Sequence, residues 1–144
     1  MPHGKHAIEI DAPPGRVMDV LTDFAAYPTF LPGMEAAEVL RQAPGSWEVR
    51  FRLRLIRALG YTLRLERVDD RELSWTLLEG AFRSNEGRWT LAPLDHGART
   101  RADYEIDVAV GMFVPGNLVR SLIEVSLPET LAAFKAEIER RSSV

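Results

Sequence analysis

Three residues carry side chains that could transfer protons inside an apolar pocket. Tyr61 and Tyr104 alternate in phase with aliphatic residues, so their hydroxyls can face an interior. Glu79 has the same parity as the apolar positions of Leu73–Leu77, and a carboxyl group buried there would have a raised pKa and act as an acid or base. The alternatives are two core tyrosines with satisfied hydroxyls and a solvated carboxylate at a strand end. All three are weak candidate catalytic residues.

The other residue types that carry chemistry form no constellation. The chain has three histidines and no cysteine. His3 and His6 lie where we expect a frayed terminus, and His96 lies in a turn beside Gly97; none shares a face with a carboxylate at metal-site spacing. Gly111–Gly116 lacks the lysine and the spacing of a phosphate-binding loop. We therefore predict no metal, no cofactor and no histidine-activated nucleophile.

Composition places the chain among ordinary globular proteins. It has 144 residues, 46% of them hydrophobic, and a net charge of -3 from 18 Lys+Arg and 21 Asp+Glu. This balance excludes disorder and argues against a protein that coats nucleic acid through bulk charge. No signal peptide is apparent, and no window approaches the roughly 20 consecutive apolar residues of a spanning helix. We therefore expect a cytoplasmic protein.

Most of the chain shows the period-two pattern of β-strands. Apolar and polar residues alternate over much of 37–110, as in Trp47–Leu55, Tyr61–Leu65, Leu73–Leu77 and Tyr104–Val110. Turn signals separate these segments at Ala43–Gly45, Leu59–Gly60, Asp69–Asp70, Ser84–Asn85 and Asp95–Gly97. Clean alternation predicts an antiparallel sheet of about seven strands, with one covered face and one wet face.

Helical patterns flank the sheet. Pro13–Pro14 suits the start of a short helix after the first strand. Near the C-terminus, apolar residues recur every three or four positions from Val119 to Ile138, which predicts one long helix with a kink at Pro128. A one-faced sheet and a helix with an apolar stripe must cover each other. We therefore predict an α+β helix-grip fold, in which the curved sheet wraps the helix and short helices close one end.

Several of these segments resemble the START-like (SRPBCC) superfamily. The resemblance rests on Asp11–Pro14, Asp23–Phe24, Tyr27–Pro32, Glu79–Phe82 and Gly87–Leu91. It points to the polyketide cyclase/dehydrase branch, which includes coenzyme Q-binding proteins and bacterial ribosome-association toxins. It implies a single START-like domain over residues 1–144, with a cavity between the sheet and the C-terminal helix that holds a hydrophobic small molecule.

The inward positions of the strands and the first part of the long helix supply the predicted lining of that cavity. These ligand-binding candidates are Phe51, Leu53, Tyr61, Leu63, Trp75, Trp89, Tyr104, Val119 and Leu122. Two apolar loops supply a predicted mouth, with Phe30, Pro32 and Phe113 as its residues. Lids, a dimer contact, an edge that touches a membrane surface, or simple packing are the open roles for these loops.

Arg50, Arg52 and Arg54 form a row on the predicted outer face of the sheet. Such a row could contact ribosomal RNA or an anionic membrane, but arginine is used in excess throughout the chain, so a solvated sheet face is the favoured interpretation. Our leading hypothesis is a non-enzymatic binding or carrier protein for a quinone, lipid or polyketide-like ligand. The alternatives are a polyketide aromatase/cyclase or dehydratase and, second, a ribosome-interacting toxin-like protein. The sequence does not indicate an oligomeric state.

Overall fold

Seven antiparallel strands form one sheet in the computed structural model, which describes residues 3–54, 57–110 and 116–143, apart from the side chains of Leu118, Val119 and Leu122. The sheet order is β1-β7-β6-β5-β4-β3-β2, so that β1 and β2 are the edges. The strand bounds are β1 His3–Ile10, β2 Met34–Ala43, β3 Ser46–Arg54, β4 Ala58–Asp69, β5 Glu72–Gly80, β6 Phe82–Leu94 and β7 Arg99–Val110. The predicted helix-grip fold and strand number are confirmed.

The helical residues form two groups. The first comprises α1 (Pro14–Leu21) and a 3-10 helix (Phe24–Thr29). The second comprises α2 (Gly116–Ser121), a π-helical turn (Leu122–Ser126) and α3 (Leu127–Ser142). Proline stands in the first turn of both α1 and α3, where its missing N–H costs little. None of the helices in the described ranges is long and apolar enough to cross a membrane.

The C-terminal helical run passes through Pro128, as its apolar stripe predicts. Proline cannot donate the hydrogen bond that a preceding α-helical turn requires, and the π-helical turn stands immediately before α3. Beyond it Leu131, Phe134 and Ile138 are buried against the sheet, whereas Val125, within the π-helical turn, is exposed. The apolar side chain of Val125 therefore does not contribute to the interior.

The short helices close one end of the space between sheet and α3. The ring of Phe24 packs against that of Trp47 at 5.3 Å between centroids, and Tyr27 contacts Phe51 and Phe134 at 5.9 and 5.2 Å. The Tyr27 hydroxyl donates a hydrogen bond to the carbonyl oxygen of Leu21. Because these rings are packed inside the protein, the segment that contains Pro28 and Pro32 can be apolar although it forms no long helix.

Two predicted turns are wrong. Leu59–Gly60 lies inside β4, and Ser84–Asn85 lies inside β6. The connection between β5 and β6 is instead the single residue Ala81. Backbone pairing between β5 and β6 stops at Trp75 and Gly87, and the ends of the two strands beyond this pair are bonded only to β4 and β7. Asn85, predicted to lie in a turn, is therefore a strand residue of the sheet.

Arg140 and Arg141 form ion pairs near the end of α3, one of which joins the helix to Asp23. Arg141 donates hydrogen bonds to Asp23, at 3.0 Å, and to Glu137, at 2.8 Å, while Arg140 also binds Glu137. Hydrogen bonds from Arg140 and Arg141 lower the pKa of Glu137 to about 2. This carboxylate is therefore ionised over nearly the whole pH range in which the folded protein can be studied.

Candidate functional site

A cavity of about 130 Å³ lies between the inner face of the sheet and the C-terminal helical run. A cavity of roughly 150 Å³ can hold benzene, so this space has the scale of one ring system. The sheet side of its lining contains seven of the nine predicted ligand-binding residues: Phe51, Leu53, Tyr61, Leu63, Trp75, Trp89 and Tyr104. The other two, Val119 and Leu122, have side chains outside the described residues. From the helical side Ile123, Ser126 and Thr130 contribute.

Aromatic rings form a continuous wall along the sheet. Tyr104 lies 4.8 Å from Trp89 in an edge-to-face arrangement and 5.3 Å from Trp75, measured between ring centroids. Phe134 of α3 contacts Trp89 at 5.4 Å, so the wall continues onto the helix. Rings in mutual contact are held in position. The cavity therefore has rigid, flat, apolar walls.

Gly87 makes room for one of these rings. A Cβ atom at Gly87 would lie 2.6 Å from Cζ2 of Trp75 and 2.2 Å from the carbonyl oxygen of Glu105. Its backbone conformation is not the left-handed one that requires glycine, so a side chain is excluded by the close approach of both the Glu105 carbonyl oxygen and the Trp75 indole. Gly87 thus sets the position of Trp75 in the cavity wall.

Two tyrosine hydroxyls are the main polar groups of the wall. Tyr61 and Tyr104 make no side-chain hydrogen bond to any residue in the described part of the chain, whereas the Tyr27 hydroxyl is bound to Leu21. Burial raises the pKa of the Tyr61 and Tyr104 hydroxyls, and the proximity of Tyr61 raises that of Tyr104 further. Both are therefore neutral hydrogen-bond donors at physiological pH, and neither serves as a base.

Asn85 is a cavity residue that the sequence did not single out. Its side chain is 6% exposed, lines the cavity, and accepts a 3.1 Å hydrogen bond at Oδ1 from Nε1 of Trp75. The turn-like pair Ser84–Asn85 obscured it. The available signal was parity, because Asn85 alternates in phase with Gly87 and Trp89 in the strand that follows.

Glu79 lies outside the cavity, so the prediction that it is a catalytic residue facing the cavity is not supported by its position. Tyr61 pairs with Gly80 and Thr62 with Glu79, but Leu63 pairs with Leu77, so that Leu78 is an extra residue in β5. This bulge reverses the parity of the strand, and Glu79 is exposed on the outer face. Its carboxylate is not among the groups that line the cavity between the sheet and α3.

The N-terminal histidines also lie differently from the prediction. β1 begins at His3, whose Nδ1 is 2.7 Å from a carboxylate oxygen of Asp107, so this segment is paired rather than frayed. His6 is half-buried opposite Tyr104, at an inner-face position of β1 shared with Ile8 and Ile10. His6 does not line the cavity. Among the described residues, no group of His, Asp and Glu side chains is arranged to hold a metal ion.

The three residues predicted to form the cavity mouth differ in where they lie. Pro32 lines the cavity and is exposed to solvent, so it stands at the boundary between them. Phe30 packs beside the cavity, with its ring 5.9 Å from Tyr27 and 5.5 Å from Phe134. Phe113 lies outside the described residues.

The arginine row on the outer face is partly neutralised. Glu35 accepts hydrogen bonds from Arg52 at 2.9 Å and from Arg54 at 2.8 Å. These two contacts lower the pKa of Glu35. Only Arg50 of the three is not engaged by Glu35, which favours the interpretation of a solvated sheet face.

Residues 10–135 match the model of a protein family described as polyketide cyclase / dehydrase and lipid transport. No curated protein matches the sequence. Among solved structures, the Zhui aromatase/cyclase from Streptomyces sp. R1128 has a TM-score of 0.85 at 23% identity, over 97% of this chain and 94% of that one.

Two further structures share the architecture. A START superfamily protein from Mycobacterium smegmatis has a TM-score of 0.84 at 21% identity, over 96% of this chain and 98% of that one. The di-domain ARO/CYC StfQ from the steffimycin biosynthetic pathway has a TM-score of 0.75 at 19% identity, over 96% of this chain and 45% of that one. At these identities the likeness concerns the fold alone.

Proposed function

Because this chain belongs to the polyketide cyclase / dehydrase and lipid transport family, we propose that it binds a hydrophobic small molecule between the sheet and the C-terminal helix. The observation that carries the proposal is the cavity itself, with aromatic walls and two tyrosine hydroxyls that lack described protein partners. A quinone, a lipid or a polyketide-like ring system would suit such walls. The extent of the family match also supports our prediction that residues 1–144 form one domain.

The lining favours binding and orientation over acid–base chemistry. Tyrosine is the only titratable residue type among the described residues that border the cavity. Affinity would come from apolar ligand area removed from water, at about 25 cal/mol per Å², while neutral donors fix the orientation. The cavity therefore suits an uncharged apolar ligand that carries one or a few hydrogen-bond acceptors.

Native mass spectrometry of the freshly purified protein, followed by denaturing extraction, tests the proposal. We expect an apolar compound to copurify, or a quinone, lipid or polyketide-like probe to raise the Tm. In Leu53→Trp the larger side chain fills the cavity and should reduce this binding, whereas Leu78→Trp, at the exposed bulge of β5, should not. An empty protein whose Tm no probe raises would contradict the proposal.

Catalysis of polyketide cyclisation is a second candidate, favoured by the Tyr61 and Tyr104 hydroxyls. Neutral hydroxyls can donate hydrogen bonds to a ketone oxygen and stabilise the enolate that forms when a base from solvent takes a proton from the neighbouring carbon, since the described lining contains no base of its own. The assay is product formation from a poly-β-ketone thioester analogue. Loss of such a donor costs about 100-fold or more in rate, so we expect large defects in Tyr61→Phe and Tyr104→Phe. Full turnover in the double variant would exclude this role.

A further inference from the structure

The orientation of the Asn85 side chain is determined by its partner. An indole nitrogen carries a hydrogen and can only donate, so the atom 3.1 Å from Nε1 of Trp75 must be the amide oxygen of Asn85. The amide nitrogen therefore occupies the other position, and its two N–H groups are the part of the side chain that remains available.

These two N–H groups have no acceptor within the described ranges of the protein. The only side-chain hydrogen bond of Asn85 found there is the one from Trp75, although the residue is more than nine-tenths buried. Because Asn85 lines the cavity, an occupant of the cavity can supply the missing acceptor. Buried polar groups are normally satisfied, so this part of the wall is suited to a polar group that the chain itself does not supply.

The surrounding packing holds the amide in place. Trp75 is seated on Gly87, and its ring contacts that of Tyr104 at 5.3 Å. Backbone pairing between β5 and β6 ends at Trp75 and Gly87, so the bond from Trp75 to Asn85 is a side-chain link between the strands just beyond it. Because Trp75 is held in this way and binds the amide oxygen, the Asn85 donors lose little conformational freedom when a ligand binds.

We propose that Asn85, oriented by Trp75, recognises a carbonyl oxygen of the ligand. The inference rests on the proposed binding function and narrows it to ligands with a ketone or quinone oxygen at this end of the cavity. A pure hydrocarbon would leave the amide donors unsatisfied, and a lipid chain would do the same wherever its methylenes met Asn85. Asn85 is thus a residue that determines specificity, and Trp75 is its positioning residue.

A matched pair of probes tests the proposal. 1-Indanone and indane have nearly the same shape and differ by one carbonyl oxygen, and both are small enough for a cavity of this scale. We would measure both Kd values by titration calorimetry and take the ratio of the indane value to the indanone value. One buried hydrogen bond corresponds to roughly a tenfold change in Kd, so Asn85→Leu should lower this ratio about tenfold relative to wild type.

Three further measurements separate recognition from a general loss of stability. Asn85→Asp keeps an acceptor for Trp75 but removes the amide donors, so it should lower the ratio as well. Thr100→Val removes a buried hydrogen bond to Ala12 away from the cavity and should leave the ratio unchanged. In wild-type protein, NMR signals of the Asn85 side-chain amide protons should shift with 1-indanone and not with indane.

The outcomes distinguish this inference from the proposed function. If both probes bind but the ratio is the same in wild type, Asn85→Leu and Asn85→Asp, then Asn85 does not recognise the carbonyl and the binding function stands. If the Asn85 amide signals respond equally to both probes, the inference is likewise overturned. If neither probe binds and the protein purifies empty, the proposed function fails and the inference with it.

Discussion

Gly87→Ala tests whether close approach of Trp75 to the backbone shapes the cavity wall. The new methyl group would lie 2.2 Å from the carbonyl oxygen of Glu105 and 2.6 Å from Cζ2 of Trp75. Non-bonded carbon atoms are normally separated by about 3.5–4.0 Å, so the indole must move by roughly 1 Å. The Glu105 contact involves backbone of β7, which cannot rotate away as a side chain can.

The expected change in stability follows from two opposing terms. Overpacking in a well-packed interior costs about 1–3 kcal/mol, and the contact with backbone places this site toward the upper end. Replacing glycine by alanine restricts the unfolded chain and returns about 0.4–1 kcal/mol. We therefore expect a net loss of roughly 2 kcal/mol, or a decrease in Tm of about 6–8 °C for a chain of this size.

Gly60→Ala is the matched control, since Gly60 also lies in a strand but no atom of the described residues is within 4 Å of the position of an added Cβ. It should leave the Tm unchanged or raise it slightly. Thermal unfolding followed by near-ultraviolet circular dichroism reports both stability and the packing of the aromatic side chains, Trp75 among them. If Gly87→Ala matches wild type in Tm and spectrum, Trp75 does not depend on Gly87 for its position and the argument for the wall is refuted.

Three other substitutions address the packing of α3 and of the short helices. The pKa of Glu137 is about 2 in the folded protein against an ordinary value of 4.5, so its ion pairs stabilise fully above about pH 4.5 and are lost as the pH falls toward 2. Ion pairs within one helix contribute little individually, so the stability deficit of Glu137→Gln in urea titrations should be modest at pH 7 and shrink in this window, and a constant deficit would contradict the assignment. Phe134→Ala should cost about 3–5 kcal/mol by urea denaturation, because the ring is buried among other rings, and a loss under 1 kcal/mol would mean that the site collapses. Thr100→Val should cost about 1–3 kcal/mol by the same urea denaturation, because it leaves the carbonyl of Ala12 without its buried donor, and unchanged stability would show that this bond does not stabilise the fold.

Local periodicity was sufficient to predict the main elements and much of the cavity. Alternation in the middle of the chain predicted a one-faced antiparallel sheet, and the stripe through Pro128 predicted a continuous helical run. Because side chains alternate along a strand, counting from Phe51 or Trp75 also identified which residues face inward. These predictions use information confined to neighbouring residues, which is why the sequence alone carries them.

The tertiary structure decided what depends on pairing between distant strands. An extra residue at Leu78 removes Glu79 from the cavity, and no count along β5 alone reveals where register with β4 shifts. His6 belongs to β1 because β7 pairs with it. Asn85 resembles a turn residue in sequence, and only the hydrogen bond from Trp75 identifies it as an oriented donor in the wall. Bulges, edge pairing and side-chain hydrogen bonds across strands depend on residues far apart in the chain, so local patterns predict the wall of the cavity but not its polar contacts.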